Sequence, residues 1–112
     1  MKNRQRVNAA KILADVSQEE AFHLHTDIGA YTGKFATSLA NLAEMLETVD
    51  LKTIEFHVER KDLENWIKHL GDNILAMQVA RLRKRKITGE NLRIKLIEIT
   101  KRRVDKLRAM LE

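Results

Sequence analysis

The chain has no cysteine and no proline, and only four glycines and five aromatic residues among its 112 positions. Without cysteine there can be no disulfide, thiol nucleophile or cysteine-ligated zinc, and a cytoplasmic protein is favoured. No apolar run reaches the roughly 20 residues of a membrane span, and we expect no signal peptide or membrane partner. The lack of cysteine beside many Lys, Arg and Glu also suits a thermophile.

The most informative feature that is present is the uneven distribution of charge. Residues 81–112 carry twelve Lys and Arg against four Asp and Glu, a net charge of +8. Residues 1–80 carry nine basic and twelve acidic residues, a net charge of −3. This asymmetry predicts an anionic partner, although it does not predict a fold. We favour nucleic acid over an acidic membrane, because no basic helix has a free apolar side with aromatic anchors.

Helical spacing of apolar residues alternates along the chain with strand-like, period-two spacing. In the first predicted helix, Val7, Ala10, Leu13 and Ala14 share one face. The predicted elements are a helix over 6–18, a strand over 21–26, a glycine-bearing loop over 27–37 with a possible short strand near Tyr31, a helix over 39–48, a strand over 53–59, and helices over 64–70, 73–86 and 90–112.

This order predicts an α+β fold, with a small two- to three-stranded sheet packed by helices and a long C-terminal oligomerisation helix. The strands over 21–26 and 53–59 are separated by a helix, which favours parallel pairing. Two strands alone make a poor sheet, so the loop or a second protomer would complete it. We divide the chain into an α+β nucleic-acid-binding domain over 1–88 and a basic amphipathic helix over 89–112.

The last predicted helix carries an apolar stripe wider than one two-stranded seam requires. Such a stripe suits two partners, the helix's own domain and another chain, and it predicts a homodimer or homotetramer. Packing within one chain explains the same pattern, so both interpretations stay open. The residues predicted for oligomerisation are Leu92, Leu96, Ile97, Val104, Leu107 and Leu111.

The run RLRKRK occupies positions 81–86, at the end of its predicted helix. If Leu75, Val79 and Leu82 face the core, most of these basic side chains project outward. Lys and Arg that meet phosphates release counterions and give salt-dependent affinity without reading bases. A solvated helix end is the alternative. The predicted phosphate contacts are Arg81, Arg83, Lys84, Arg85 and Lys86.

Three histidines, His23, His25 and His57, would share one face of paired strands, beside two glutamates. Imidazole and carboxylate can ligate zinc, iron or manganese, but an exposed sheet face produces the same residues without a metal. We favour the latter interpretation. No nucleophile, paired acid or phosphate-binding glycine loop has a recognisable spacing. We therefore predict no enzyme activity, no cofactor and no small-molecule substrate.

The aromatic residues near the glycines suggest how a nucleic acid would be held. Tyr31 and Phe35 lie in the loop beside Lys34, a composition suited to base stacking with a phosphate contact. Burial against the core is the alternative, which we favour for Phe35 but not for Tyr31. We expect Phe56 and Trp66 to lie in the core.

Residues 22–80 carry a pattern of three motifs. A Y-T-G turn, Tyr31–Gly33, leads into a capped helix, and an F-H pair follows at Phe56 and His57. Arg60 and Asp62 then begin a helix that contains Trp66. In this pattern the chain resembles a largely archaeal domain family, and its layout is similar to that of the ThermoDBP and ThermoDBP-related single-stranded DNA-binding proteins.

The resemblance implies an α+β domain followed by a dimerising C-terminal helix. It also implies sequence-independent binding of single strands in a groove of apolar and basic side chains. The chain departs from the pattern at Lys61, where glycine is common, and at Leu63, where an aromatic residue is common.

From these observations we predict a homo-oligomer that binds single-stranded DNA or RNA irrespective of sequence. Stacking is assigned to Tyr31, with Phe35 and Trp66 as further candidates, and Arg60 and Lys34 assist the basic run in contacting phosphates. The alternative is a protein-interaction or assembly module that does not bind nucleic acid.

Overall fold

A computed structural model describes residues 2–112 of the chain, with side chains from residue 4 onward. This part of the chain forms six α-helices, one 3-10 helix and a two-stranded sheet, which confirms the predicted α+β class with a long C-terminal helix. The elements are α1 (Lys2–Leu13), the 3-10 helix (Gln18–Glu20), β1 (Phe22–His25), β2 (Tyr31–Ala36), α2 (Leu39–Leu46), α3 (Leu51–Glu59), α4 (Asp62–Leu70), α5 (Asn73–Lys84) and α6 (Gly89–Ala109).

Local capping chemistry explains where several helices begin and end. The Ser38 hydroxyl accepts the Asn41 N–H at 3.1 Å, and so satisfies one of the free donors at the start of α2. At the start of α5, the Asp72 carboxylate accepts the Leu75 N–H at 3.1 Å. Gly71 ends α4 with a φ of 103°, a left-handed conformation that glycine adopts without steric cost. The helices predicted near these residues are confirmed.

The sheet is an antiparallel hairpin of β1 and β2. Its second strand is the one anticipated near Tyr31. The parallel pairing of 21–26 with 53–59 was a wrong prediction, because the segment 53–59 is not a strand. It lies within α3, where Thr53, Ile54, His57 and Val58 are buried.

The period of this segment is ambiguous in the sequence. Ile54 and Val58 are four residues apart, a spacing that places them on one face of either a strand or a helix. The strand and the helix differ only in which other residues share the face of Ile54 and Val58. In a strand that residue is Phe56, whereas in a helix Thr53 and His57 share it. Packing selects the helix, since Thr53 and His57 are 1% and 4% exposed.

The first helix also differs from its prediction. It ends at Leu13 rather than at residue 18, and it turns a different face toward the core. Ala9 and Ile12 are buried, whereas Val7 is 66% exposed. This basic segment has few apolar residues, so their spacing does not predict which face of the helix is buried.

The apolar stripe of α6 is largely used within the chain. Leu92, Leu96, Val104 and Leu107 are 0–4% exposed in the core, where α6 packs against α1, α2, α3 and α5. These four side chains are therefore not available to hold a second chain, which corrects their assignment to oligomerisation. Of the other two residues, Ile97 is half-buried against the core and Leu111 is 38% exposed. The proposed boundary at residue 88 falls in the connection between α5 and α6.

A buried ion pair joins α6 to the turn between α4 and α5. The Nε of Arg103 donates to Oδ2 of Asp72 at 2.7 Å, with side-chain exposures of 9% and 0%. The other carboxylate oxygen of Asp72 accepts the Leu75 N–H. One carboxylate thus caps α5 and neutralises an arginine from α6.

We expect Arg103→Met to lower the free energy of unfolding by about 3–5 kcal/mol, because the substitution leaves the Asp72 carboxylate buried without a cation. The double variant Asp72→Asn/Arg103→Met should recover part of this loss, since asparagine still caps α5 and carries no charge. Urea denaturation followed by circular dichroism measures both values. A double variant no more stable than Arg103→Met would show that the unpaired charge is not the cause.

Lys61 connects α3 to α4 in a left-handed conformation, with a φ of 69°. Glycine would be favoured there because a Cβ is strained in this region. We expect Lys61→Gly to raise the free energy of unfolding, by up to about 1 kcal/mol once the greater freedom of unfolded glycine is subtracted. The control Lys68→Gly, inside α4, should lower it by about 1 kcal/mol. Equal losses in both variants would contradict this account.

Candidate nucleic-acid interface

The outer face of the hairpin carries four rings. In the strand register His23 is opposite Phe35 and His25 is opposite Tyr31. Two steps along β1, from His23 to His25, thus correspond to four steps along β2, from Phe35 to Tyr31. The extra residues of β2 form a bulge that includes Gly33, which has a φ of 83°. The Thr32 hydroxyl donates to the Leu24 carbonyl at 2.8 Å and holds this part of the hairpin. The irregular register therefore brings both aromatic residues of β2 beside the histidines.

Hydrogen bonds fix the ring of His23. Its Nε2 donates to the Gln18 carbonyl at 2.9 Å, because a carbonyl can only accept. Its Nδ1 lies 3.2 Å from the Tyr31 hydroxyl, within hydrogen-bond distance. Ring centroids lie 5.5 Å apart for His23 and Tyr31, 5.6 Å for His23 and Phe35, and 5.2 Å for His25 and Tyr31. These separations are those of favourable aromatic pairs.

The ring contacts continue from the hairpin onto α3. His25 lies 5.9 Å from the buried ring of His57, which lies 5.1 Å from Phe56. The Arg60 guanidinium stands 5.0 Å above the Phe56 ring, in cation–π geometry. We name the accessible members of this series the aromatic strip: His23, His25, Tyr31, Phe35, Phe56 and Arg60. Tyr31 is 46% exposed, and the Arg60 side chain is 49% exposed.

His57 holds the two halves of the strip together from beneath. Its Nε2 accepts the backbone N–H of His25 at 2.8 Å, and its Nδ1 donates to the Asp62 carboxylate at 3.0 Å. The ring is therefore neutral, with its proton on Nδ1. Burial lowers the pKa of His57 below its ordinary value of 6.5, although the Asp62 carboxylate opposes this shift. A protonated ring would present a second donor to the His25 N–H.

Two predicted stacking residues, Tyr31 and Phe35, belong to the strip, but Trp66 does not. Trp66 is 8% exposed, and its indole N–H donates to the Glu20 carbonyl at 2.9 Å. Its ring faces are occupied by the core, so we remove it from the candidate site. Lys34 is exposed, but it precedes Phe35 in β2, and neighbouring strand residues point to opposite faces. Of the predicted cations, only Arg60 lies in the strip.

The basic residues of the C-terminal third have divided roles. Arg83 donates to Glu64 at 2.9 Å, Arg93 donates to the Leu46 carbonyl at 2.6 Å, and Arg103 pairs with Asp72. These three arginines therefore stabilise the fold, which removes Arg83 from the predicted phosphate contacts. The rest of the predicted run is exposed: Arg81, Lys84, Arg85 and Lys86.

The exposed end of α5 is separated from the aromatic strip by an acidic edge of α3. Glu55 and Glu59 line a groove together with Arg83 and Lys86. On α3, these two glutamates directly precede Phe56 and Arg60 and are turned by about 100° from them, so the acidic groove and the strip lie on adjacent sides of the helix. The single groove expected from Tyr31 and the basic run is thus two surfaces of different chemistry.

The described residues contain no group of three or more His, Asp or Glu side chains placed to hold a metal ion. The His23 and His57 nitrogens are all engaged in the hydrogen bonds given above. None of the helices between residues 2 and 112 combines the length and apolar character of a membrane span.

Comparison with protein-family models, curated proteins and solved structures found no match for the chain. The resemblance to the ThermoDBP group therefore stays a prediction from the motifs of residues 22–80.

Sequence reasoning missed three members of the strip. His23 and His25 were assigned to an ordinary exposed sheet face and Phe56 to the core. The useful signal was the four-residue spacing of Phe56 and Arg60, which brings two side chains together on a helix. This spacing predicts contact between the two side chains only in a helix, so it could not be used while the segment 53–59 was interpreted as a strand.

We expect the free energy of unfolding to fall as the pH is lowered through 6.5. In the unfolded chain His57 takes up a proton near its ordinary pKa of 6.5, whereas the folded chain resists protonation. The unfolded state then binds more protons, so stability is complete above 6.5 and is lost toward the lower pKa of the folded state.

Urea denaturation between about pH 8 and pH 5 measures this dependence, and His57→Gln should flatten it. The control His69→Gln changes an exposed histidine paired with Glu20 and should leave the component due to His57 in place. An unchanged pH profile in His57→Gln would refute the assignment.

Proposed function

We propose that the chain binds single-stranded nucleic acid, DNA or RNA, without sequence preference. The observation that carries the proposal is the aromatic strip, in which Tyr31 is half exposed and contacts His23 and His25. Phe56 and Arg60 continue the strip on α3, joined to the hairpin through the buried ring of His57. The resemblance to single-stranded DNA-binding proteins supports the same function.

The chemistry of the strip suits unpaired bases. Every base has a π face, so stacking on aromatic side chains tolerates any sequence and contributes about 1–3 kcal/mol per base. Bases in a duplex are already stacked on one another, and their faces are not free. The strip therefore favours single strands over paired ones.

Phosphate contacts come from the cations at the end of the strip. Among the residues that the structure describes, Arg60 forms an ion pair only with Asp62, which it shares with His57. Its planar guanidinium can bind phosphate in a bidentate manner. Lys61, exposed beside it, adds a second positive charge. With so few cations, stacking contributes most of the affinity and the salt dependence is moderate.

We expect Tyr31→Leu to weaken binding to a labelled oligothymidine by about 1–3 kcal/mol, the contribution of one stacked base. Leucine keeps an apolar side chain in the strand but has no π face. Fluorescence anisotropy gives the affinity, and Tyr31→Trp should restore it. The control is Ile28→Ala, which removes a 78% exposed apolar side chain from the adjacent turn and should have no effect.

Undetectable binding of single strands by the unmodified protein at low salt would end this proposal. Equal losses in Tyr31→Leu and Ile28→Ala would show that the hairpin does not act through stacking.

The second candidate function is a protein-interaction or assembly module. It is favoured by Ile74 and Met77, which are 54% and 59% exposed and lie three residues apart on α5. A homodimer or homotetramer built through this face would lose its larger mass in Met77→Lys, as measured by light scattering. The same variant should leave oligothymidine binding unchanged if the aromatic strip acts alone.

A further inference from the structure

A second charged surface lies on the paired helices α5 and α6, away from the aromatic strip. The two helices run antiparallel, because Asp72 at the start of α5 meets Arg103 late in α6 while a short connection joins their other ends. Five exposed cations follow this pair, and we name them the basic α5–α6 face: Arg81, Arg85, Lys95, Arg102 and Lys106.

Helix geometry places these cations on the solvent side of α5 and α6. Arg83 contacts Glu64 of α4, and residues two positions away are turned by about 200°, so Arg81 and Arg85 lie on the side away from α4. On α6, Lys95, Arg102 and Lys106 form one row through spacings of seven and four residues. Lys106 lies three residues after Arg103, which faces the start of α5. On the opposite side of α6, Arg93 and Lys101 contact residues at the end of α2.

No salt bridge within the described part of the chain neutralises this face, although the exposed carboxylates of Glu98 and Asp105 lie beside its α6 row and reduce its net charge. No ion pair or side-chain hydrogen bond joins any of its five cations to a residue that the structure describes, unlike Arg83, Arg93 and Arg103. Residues 73–89 contain no Asp or Glu. The charge therefore remains available to an anionic partner.

The face also lacks the means to stack bases. No Phe, Tyr or Trp occurs between residue 67 and residue 112. A nucleic acid bound here is held through its phosphates alone. Its bases must therefore make their stacking and hydrogen-bonding contacts with one another rather than with the protein. In a duplex they are paired and stacked on one another.

The spacing of the cations suits the two strands of a duplex. Packed helix axes lie about 8–10 Å apart, and the long Arg and Lys side chains of the two rows can reach phosphates on either side of a B-DNA groove about 6 or 12 Å wide. Along α6 the row from Lys95 to Lys106 covers about 16 Å, at 1.5 Å per residue. That length is enough for the row to contact more than one phosphate of a strand, since the rise along the duplex axis is about 3.4 Å per nucleotide.

We propose that the basic α5–α6 face is a second site, which binds the sugar–phosphate backbone of double-stranded nucleic acid. It goes beyond the single-strand function and does not depend on it. The surface favours a duplex over an acidic bilayer because the face has no aromatic anchor and its cations form two rows on fixed helices.

The test is the binding of a labelled blunt duplex to the full chain at low and moderate salt. The double variant Arg81→Glu/Arg85→Glu removes two phosphate contacts, so the slope of log affinity against log salt should become shallower by about 2. Duplex affinity at low salt should fall, while Tyr31→Leu should leave it unchanged. Tyr31→Leu therefore tests the single-strand site alone, and Arg81→Glu/Arg85→Glu tests the duplex site, so failure of one proposal can be distinguished from failure of the other.

The matched control is Lys52→Glu/Lys68→Glu, which makes the same change in net charge at exposed lysines of α3 and α4. Retained duplex binding in this control supports a local site, and an equal loss overturns it. The proposal also fails if duplex binding is undetectable at low salt. It fails equally if Arg81→Glu/Arg85→Glu weakens only single-strand binding, or only binding to phosphatidylserine vesicles.

Discussion

The ion pair between Asp72 and Arg103 is the contact on which the arrangement of the helices depends. The carboxylate caps α5 and holds the guanidinium of α6, so the start of one helix and the register of another are set by the same group. Sliding α6 by one residue would rotate Arg103 by about 100° and leave Asp72 buried without a cation. Such an unpaired charge costs several kcal/mol, which distinguishes the observed register from others that leucine-rich helices would allow.

This register divides the basic residues of the C-terminal third into two groups, those that are bound by other groups of the fold and those that are exposed. Arg103 points inward, and Arg83 and Arg93 are likewise held by groups of the fold. Their neighbours along α5 and α6 remain at the surface, where they form the basic α5–α6 face. The aromatic residues have the opposite distribution, since all five precede residue 67. The aromatic residues and the free cations of the C-terminal third are thus concentrated on different surfaces, the aromatic strip and the basic α5–α6 face.

How far the sequence predicts the fold depends on how distinctive each local pattern is. Ser38, Gly71 and Asp72 have strong local preferences, and the helix ends near them were predicted correctly. The segment 53–59 was not, because Ile54 and Val58 satisfy both periods and the choice rests on contacts with distant residues. His57 shows this well, since it is buried against His25 of the hairpin, 32 positions earlier.

The sequence by itself determined the α+β class, most of the helix boundaries and the excess of positive charge at the C-terminal end. These properties follow from composition and from interactions between residues a few positions apart. Only the tertiary structure decided which cations are free, that Trp66 and most of the α6 stripe belong to the core, and that Phe56 and Arg60 extend the rings of the hairpin. Each of those outcomes depends on contacts between segments far apart in the chain, and local patterns do not encode which of several apolar or charged faces will meet.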